Sequence, residues 1–526
     1  MIYKMDNIIK AQNILTTENI DAMFFNTQDE FLSEFTKPEN NDIFQITGFT
    51  GSNGYLLITP KIYIFFTDGR YTLQAQNELP QSFEIHNIID FWIVIQKMGL
   101  QKLTLNFAKV SAEFALKLQN TLPKVKLVHL KHAFSKPFVN NGGSYPIESG
   151  KSSQEKIHKI TEHLHRSNKD GFFIADPQSV CWILNIRGND EQHTPIHKVT
   201  MFIKNDGAYE LNPDFSQIVG NIFIDSQSTF MQYNSIVAQK EFNSYIVEKK
   251  VIKNKIEITG MVNAHKVDGK IVSQFLHWLA EYYEGKTEWD IAQKLLEFRM
   301  SHESFKILSF ATICGCNENG AIIHYNPQKE TAKTVTQNSV ILIDSGGQFY
   351  GHNILGTTDI TRTLFLGNAN PSEEYKQAFT LVLKGHIAVA MAIFKEDTPS
   401  NTFDKLARKY LKEHKMDYAH STGHGVGSFL AVHEAGCGIS SSNARPLKEG
   451  MVISNEPGYY LEGTFGIRIE SLLLVCKNAE GNLYFQTITL VAIQEKSINF
   501  TMLTQEEKQW IEEYNKKCIY NLSHTL

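Results

Sequence analysis

No stretch of this chain holds 18 consecutive uncharged apolar residues, so no transmembrane helix and no membrane partner are expected. The N-terminal MIYKMDNIIKAQNIL also lacks the unbroken apolar core of a signal peptide, because Lys4, Asp6, Lys10 and Gln12 interrupt it. Cysteine is scarce: six in 526 residues, with no CxxC pair. That excludes a dense disulfide framework, and the thiols read as the reduced set of a cytoplasmic protein. Basic charge is not in excess either. The 51 Lys and Arg are outnumbered by 56 Asp and Glu, for a net charge of -5, so the basic face that nucleic-acid binding needs is not expected. What is present is ordinary for a globular protein: 42% apolar and 20% charged residues. At roughly 100–200 residues per domain, the length predicts about three domains.

The texture of the chain divides into three segments: 1–125, 126–247 and 248–526. In the first, a helical pattern at 6–20 precedes the apolar run Ala22-Met23-Phe24-Phe25, and two apolar runs around Thr59-Pro60 read as a hairpin. In the second, 152–167 has helical spacing, 172–174 and 222–225 read as strands, and 180–184 is helical or extended. Both segments read as layered αβ domains. The third opens with a long amphipathic helix at 258–283 carrying Met261, His265, Asp268, Val272, Phe275 and Leu279 on one face. A capping box at Thr287 to Asp290 then starts the next helix. Beyond it, short strands at 340–343, 364–366, 451–453 and 467–475 alternate with Gly-rich turns and two more helices. This is an α+β pattern with an antiparallel sheet.

Five residues of this last segment stand in unusual surroundings. Asp344 ends the apolar run Val340-Ile-Leu-Ile, where a carboxylate is costly without a partner or a cation. Asp359 lies in Gly356-Thr-Thr-Asp-Ile-Thr-Arg-Thr, where a period of two puts Thr357, Asp359, Thr361 and Thr363 on one face. A hairpin would bring the two aspartates together. His424 is flanked by Gly423 and Gly425, Glu456 lies in Asn455-Glu-Pro-Gly-Tyr-Tyr, and Glu470 shares a strand face with Arg468. Each alone has an ordinary structural reading. Together, four carboxylates and one imidazole in one cavity would repel each other unless cations compensated them. Two divalent ions do so, and ligation by oxygen with a single His favours Mn2+ over a thiolate-type zinc site. Paired metals of this kind activate water and polarise a carbonyl, which implies amide or ester hydrolysis.

The segments Asp344-Ser-Gly-Gly, Gly356-Thr-Thr-Asp-Ile-Thr-Arg-Thr, Gly423-His-Gly-Val-Gly, Asn455-Glu-Pro-Gly-Tyr-Tyr and Gly466-Ile-Arg-Ile-Glu resemble the M24 metallopeptidases, in particular their aminopeptidase P branch. Gly48-Phe-Thr-Gly-Ser and Thr67-Asp-Gly-Arg-Tyr resemble that branch's first domain, Asn185-Ile-Arg-Gly-Asn-Asp its second, and Leu490-Val-Ala-Ile-Gln its C-terminal extension. The resemblance implies two creatinase-like αβ domains ahead of a pita-bread catalytic domain. It also implies removal of the N-terminal residue from peptides with proline second, and a homodimer. By position, Asp344 would chelate one metal, His424 with Glu456 the other, and Asp359 and Glu470 both. Glu456 would transfer the proton. His324 and His433 match positions that contact substrate or the tetrahedral intermediate. His420 matches an active-site His at the proline pocket or the metal shell, and Arg468 would orient carboxylates.

One departure stands out. Residues 345–358, between the two aspartates, form a longer insert than is usual in the family, predicting a lengthened hairpin loop with His352 exposed in it. Three rivals remain: a metal-free binding relative, a prolidase restricted to dipeptides, and creatinase-like chemistry. The intact ligand set disfavours the first and third, and the two N-terminal domains disfavour the second.

Overall fold

A computed structural model of the chain describes residues 5–140 and 142–524; Lys4, one of the residues interrupting the N-terminal apolar stretch, lies outside them. The chain divides into two compact units, Met1–Ile246 and Val247–Leu526.

The first unit holds two large sheets and a two-stranded one, in which Ser144–Pro146 pairs with Ile186–Gly188. In the six-stranded one, Ala22–Asn26 is central. It pairs antiparallel with Tyr55–Ile58 and parallel with Lys102–Leu105. The hairpin read around Thr59-Pro60 forms, Tyr55–Ile58 pairing with Tyr63–Thr67. One boundary needs correction. The strand Lys126–His129, read as the start of a second domain at 126, pairs in parallel with Lys102–Leu105 and closes the edge of the first sheet. Its residues, Lys-Leu-Val-His, carry no pattern that names a partner; the break between the sheets falls after it. The second sheet orders Tyr209–Leu211, Met201–Lys204, Gly171–Ile174, Asn221–Ile224 and Gln239–Phe242. The ambiguous segment at 180–184 is helical. Asp176 caps Pro177–Leu184, whose Pro sits where a missing N–H costs nothing. The sheets are joined within the unit by the Lys198–Asp29 ion pair at 2.7 Å and by Ala112 N–H donating to Ser228 O at 2.8 Å.

In the second unit, the helices Lys255–Tyr282 and Glu288–Met300 both open with capping boxes, Asn254 with Glu257 and Thr287 with Asp290. Every strand pairing here is antiparallel. A three-stranded sheet sets Val340–Ser345 between Ile313–Cys316 and Ile360–Phe365. A six-stranded sheet contains Gly423–Gly425, Val452–Asn455 and Ser471–Lys477.

Three local expectations change. The insert between the aspartates is no plain loop: Gly347–Gly351 and Ile354–Thr357 form a second hairpin, in a different sheet with Phe305–Leu308. His352 is exposed at its tip, beside Asn353 at φ 54°. The threonine stretch is not one strand either. It breaks at Thr358-Asp359, so Thr357 turns to Gln348 and the Leu430 carbonyl while Thr361 donates to Glu470. The strand read over 467–475 breaks likewise. Phe465–Arg468 pairs with Gly458–Leu461, and Ser471–Lys477 with Val452–Asn455. Asp359 and Glu470 sit at these two breaks. Leaving the ladder is what frees each carboxylate to turn into a cavity.

Candidate metal centre

Strand pairing brings the acidic residues together. Asp344 lies opposite Thr361 across the Val340–Ser345 and Ile360–Phe365 ladder, which places Asp359 just beyond the paired region. Glu470 N–H donates to Thr361 O, and Thr361 Oγ1 donates to Glu470 Oε2 at 2.7 Å. His424 comes from the adjoining sheet. A Cβ on Gly423 would sit 2.0 Å from the Ser454 carbonyl, so only glycine admits this approach of the two backbones. Ser454 then accepts from His424 N–H and donates to Glu456 Oε1, both at 2.9 Å.

The imidazole is oriented for ligation. Its Nδ1 lies 3.0 Å from Gly425 O and so carries the proton, leaving the Nε2 lone pair free. Nε2 stands 3.4 Å from both Asp359 Oδ2 and Glu456 Oε1. Two atoms each about 2.1 Å from one ion sit roughly 3–3.5 Å apart, so the spacing fits shared coordination. Asp359, His424 and Glu470 each present an atom within 4.8 Å of the others.

The electrostatics carry the same message. Burial, then the neighbouring Asp344 and Glu456 charges, push the Asp359 carboxyl well above the carboxylate range. Glu470 is raised likewise by burial and then by Asp359, Glu456 and Asp344. Burial also raises Glu456, though His424 and Arg468 pull it down. Asp344 Oδ2 accepts from Arg468 Nη2 at 2.7 Å and Nε at 3.2 Å, while its Oδ1 is buried with no hydrogen-bond partner among the described residues. Glu470 Oε1 is buried and unpartnered in the same way. Carboxylate oxygens taken from water without a donor are expensive. Divalent cations are the groups that fit this donor set, and Asp344, Asp359, His424, Glu456 and Glu470 are the residues that would hold them.

Comparison with known proteins decides the family. The family model for metallopeptidase family M24 matches residues 259–477, and a model of its C-terminal region matches 481–526. Two models of the creatinase/prolidase N-terminal domain match 8–136 and 144–212. Xaa-Pro aminopeptidase 1 of Dictyostelium discoideum is 33% identical, over 97% of this chain and 91% of that protein. The chain belongs to metallopeptidase family M24. A probable Xaa-Pro aminopeptidase P of Laccaria bicolor is 32% identical over 97% of this chain and 89% of its own length. The X-prolyl aminopeptidase of Caenorhabditis elegans shares the fold at a TM-score of 0.91 and 24% identity, covering 99% of this chain and 96% of that one.

The other M24 candidates surround the five. The His433 ring lies edge-on to that of His424, with centroids 4.3 Å apart. His420 is 9% exposed; its Nε2 meets the Tyr460 hydroxyl at 2.8 Å and its Nδ1 is 3.9 Å from Glu456 Oε2. Arg468 is fully buried. Besides Asp344, it donates to Tyr460 Oη at 2.6 Å and to Ile323 O at 3.3 Å, the latter tying the backbone just before His324 to the centre. His324 itself is half-buried.

Several residues that hold this M24 centre were not singled out from the sequence. Tyr460 links Arg468 to His420, and lies inside the quoted Asn455-Glu-Pro-Gly-Tyr-Tyr segment, where only Glu456 was given a role. Arg362 donates to Glu470 O at 2.5 Å, to Val491 O and to Tyr514, fastening the strand break at Glu470 to the C-terminal segment. Arg408 pairs with Asp404 and donates to His420 O at 2.7 Å. In sequence, Asp404 and Arg408 look like a solvent-facing i,i+4 pair; the fold buries both.

Proposed function

We infer that this chain is a metal-dependent Xaa-Pro aminopeptidase, releasing the N-terminal residue from peptides with proline in the second position. One observation carries the reading: Asp359, His424 and Glu470 bring ligand atoms within 4.8 Å of one another, with Glu456 3.4 Å from His424 and the Asp344 charge acting on Asp359, in a chain similar along 97% of its length to a curated Xaa-Pro aminopeptidase. Asp344, Asp359, His424, Glu456 and Glu470 would hold the cations. The donors are carboxylate oxygens and one imidazole without a thiolate, which favours Mn2+. When bound, such a pair of ions supplies a Lewis acid and a nucleophile drawn from water at neutral pH.

The chain's own groups do the rest. Arg468 holds Asp344 from the side away from its unpartnered oxygen. Glu456, whose carboxyl is raised by burial, takes and returns the proton. His433, set against His424, and His324 present ring N–H groups to the substrate carbonyl as charge develops on it. His420, held by Tyr460, lines the pocket beside Glu456.

A homodimer and a cytoplasmic location complete the proposal. The C. elegans enzyme is described as cytosolic. All six cysteines here are free, as a reducing compartment requires, and among the described residues no helix is long and apolar enough to cross a membrane. Light scattering of the purified chain tests the dimer.

The deciding assay offers the full chain, with added Mn2+, three peptides: Xaa-Pro-Yaa-Zaa, Xaa-Pro and Xaa-Ala-Yaa-Zaa. Release of the first residue from the first peptide and little from the third is expected. Cleavage of the dipeptide alone identifies a prolidase instead, and no cleavage of any peptide refutes the activity.

A further inference from the structure

Beneath the acidic cavity lies an ion pair that the reaction does not use. Asp268 on Lys255–Tyr282 and Arg299 on Glu288–Met300 are both 0% exposed. Arg299 Nε donates to Asp268 Oδ1 at 2.8 Å and Nη2 to Oδ2 at 3.1 Å. Stability does not account for such a pair, because well-packed apolar side chains in its place are commonly neutral or stabilising. Arg299 Nη1 even remains without a hydrogen-bond partner among the described residues.

Its two outward bonds point to its role. Arg299 Nη2 also donates to Ser345 Oγ at 3.1 Å, and Thr358 Oγ1 donates to Asp268 Oδ2 at 2.5 Å. Ser345 follows Asp344, and Thr358 precedes Asp359. Along a strand, neighbouring side chains point to opposite faces. While Asp344 turns to the cavity, Ser345 therefore turns to the ion pair below. Thr358 Oγ1 also accepts from Gly347 N–H at 2.9 Å, and Ser309 Oγ donates to Thr358 O at 2.9 Å. A Cβ on Gly346 would stand 1.9 Å from Thr358 O, so the two aspartate-bearing segments are in direct backbone contact here.

We propose that the Asp268–Arg299 pair is a positioning device for the cation site: through Ser345 and Thr358 it holds Asp344 and Asp359 at a set separation. The carboxylates are thereby pre-arranged before any cation arrives, and cation affinity depends on two hydroxyls that touch no ligand atom. The inference rests on the two-cation reading of the cavity.

The test is calorimetric titration of Mn2+ into the metal-stripped full chain, comparing wild type with Ser345→Ala/Thr358→Val and with Thr358→Ser, alongside the melting temperature of each metal-free protein. The double variant should bind Mn2+ about tenfold more weakly, as expected when a group supporting a ligand is removed. Thr358→Ser, which keeps the hydroxyl, should stay within about twofold of wild type on the same grounds. A purely structural role would lower the metal-free melting temperature and leave affinity untouched. Wild-type uptake of two cations with an unchanged constant in the double variant overturns this inference alone; a wild type that binds none overturns the metal reading and this inference with it. Should the double variant not fold, Thr358→Val alone carries the same expectation.

Discussion

Replacing Glu470 by Gln should make the metal-free protein more stable while abolishing its response to cations. Glu470 is 1% exposed and faces Asp359 with ligand atoms no more than 4.8 Å apart. Two unit charges at that distance repel by about 3 kcal/mol at an effective dielectric constant near 20. Wild type escapes part of this by keeping a proton, since burial and the neighbouring acids raise both carboxyls. A carboxyl raised in the folded state is stabilising below its unfolded value near 4, and that contribution is lost as pH rises through the folded value. The penalty is therefore largest on the alkaline side. In EDTA at pH 8.5, Glu470→Gln should melt a few degrees above wild type, at roughly 2–4 °C per kcal/mol for a unit of this size, and the gap should shrink at pH 5.5. The amide keeps an oxygen for Thr361 and loses only the charge. With Mn2+ at about a hundred times its dissociation constant, wild type should gain roughly 2.7 kcal/mol and the variant little. Differential scanning fluorimetry reads all three conditions. A metal-free variant no more stable than wild type at pH 8.5 would refute the claim that charge crowding is what cations relieve.

Three further outcomes follow from the same geometry. Glu456→Gln, assayed on a proline-second peptide, should lose at least about a thousandfold in kcat if Glu456 has the double role proposed for it as ligand and proton carrier, with circular dichroism unchanged. Arg468→Lys, which cannot reproduce the contacts to Asp344, Tyr460 and Ile323 O, should weaken cation binding by about 10–100-fold in a calorimetric titration. Cation uptake should displace protons held by Asp359 and Glu470, so affinity should fall from pH 8 to pH 6, and calorimetry in two buffers of different ionisation enthalpy should report net proton release.

The sequence by itself was enough for several helices, whose caps and apolar spacing are local signals: the capping box read at Thr287 to Asp290 opens Glu288–Met300, and the spacing read over 258–283 and 152–167 falls on Lys255–Tyr282 and Ser153–Arg166. Gly and Pro punctuation around a costly carboxylate, visible in one dimension, also singled out the five acidic and imidazole positions; that they approach one another is shown by the fold alone. Pairing and breaks were not visible. Nothing in the four residues of Lys126–His129 names a partner, and only the completed sheet shows the strand beside Lys102–Leu105. Neither Thr358-Asp359 nor Ile469-Glu470 contains a residue that forbids a continuous strand; each break exists because the carboxylate must leave its ladder to reach residues contributed by another sheet. The supporting groups Tyr460, Arg362, Arg408 and Arg299 were hidden for the same reason, and Asp268, placed from the sequence on the apolar helix face, had no legible partner. A charged or hydroxyl-bearing side chain reads as solvent-facing until the tertiary fold shows that it is buried and which partner it meets.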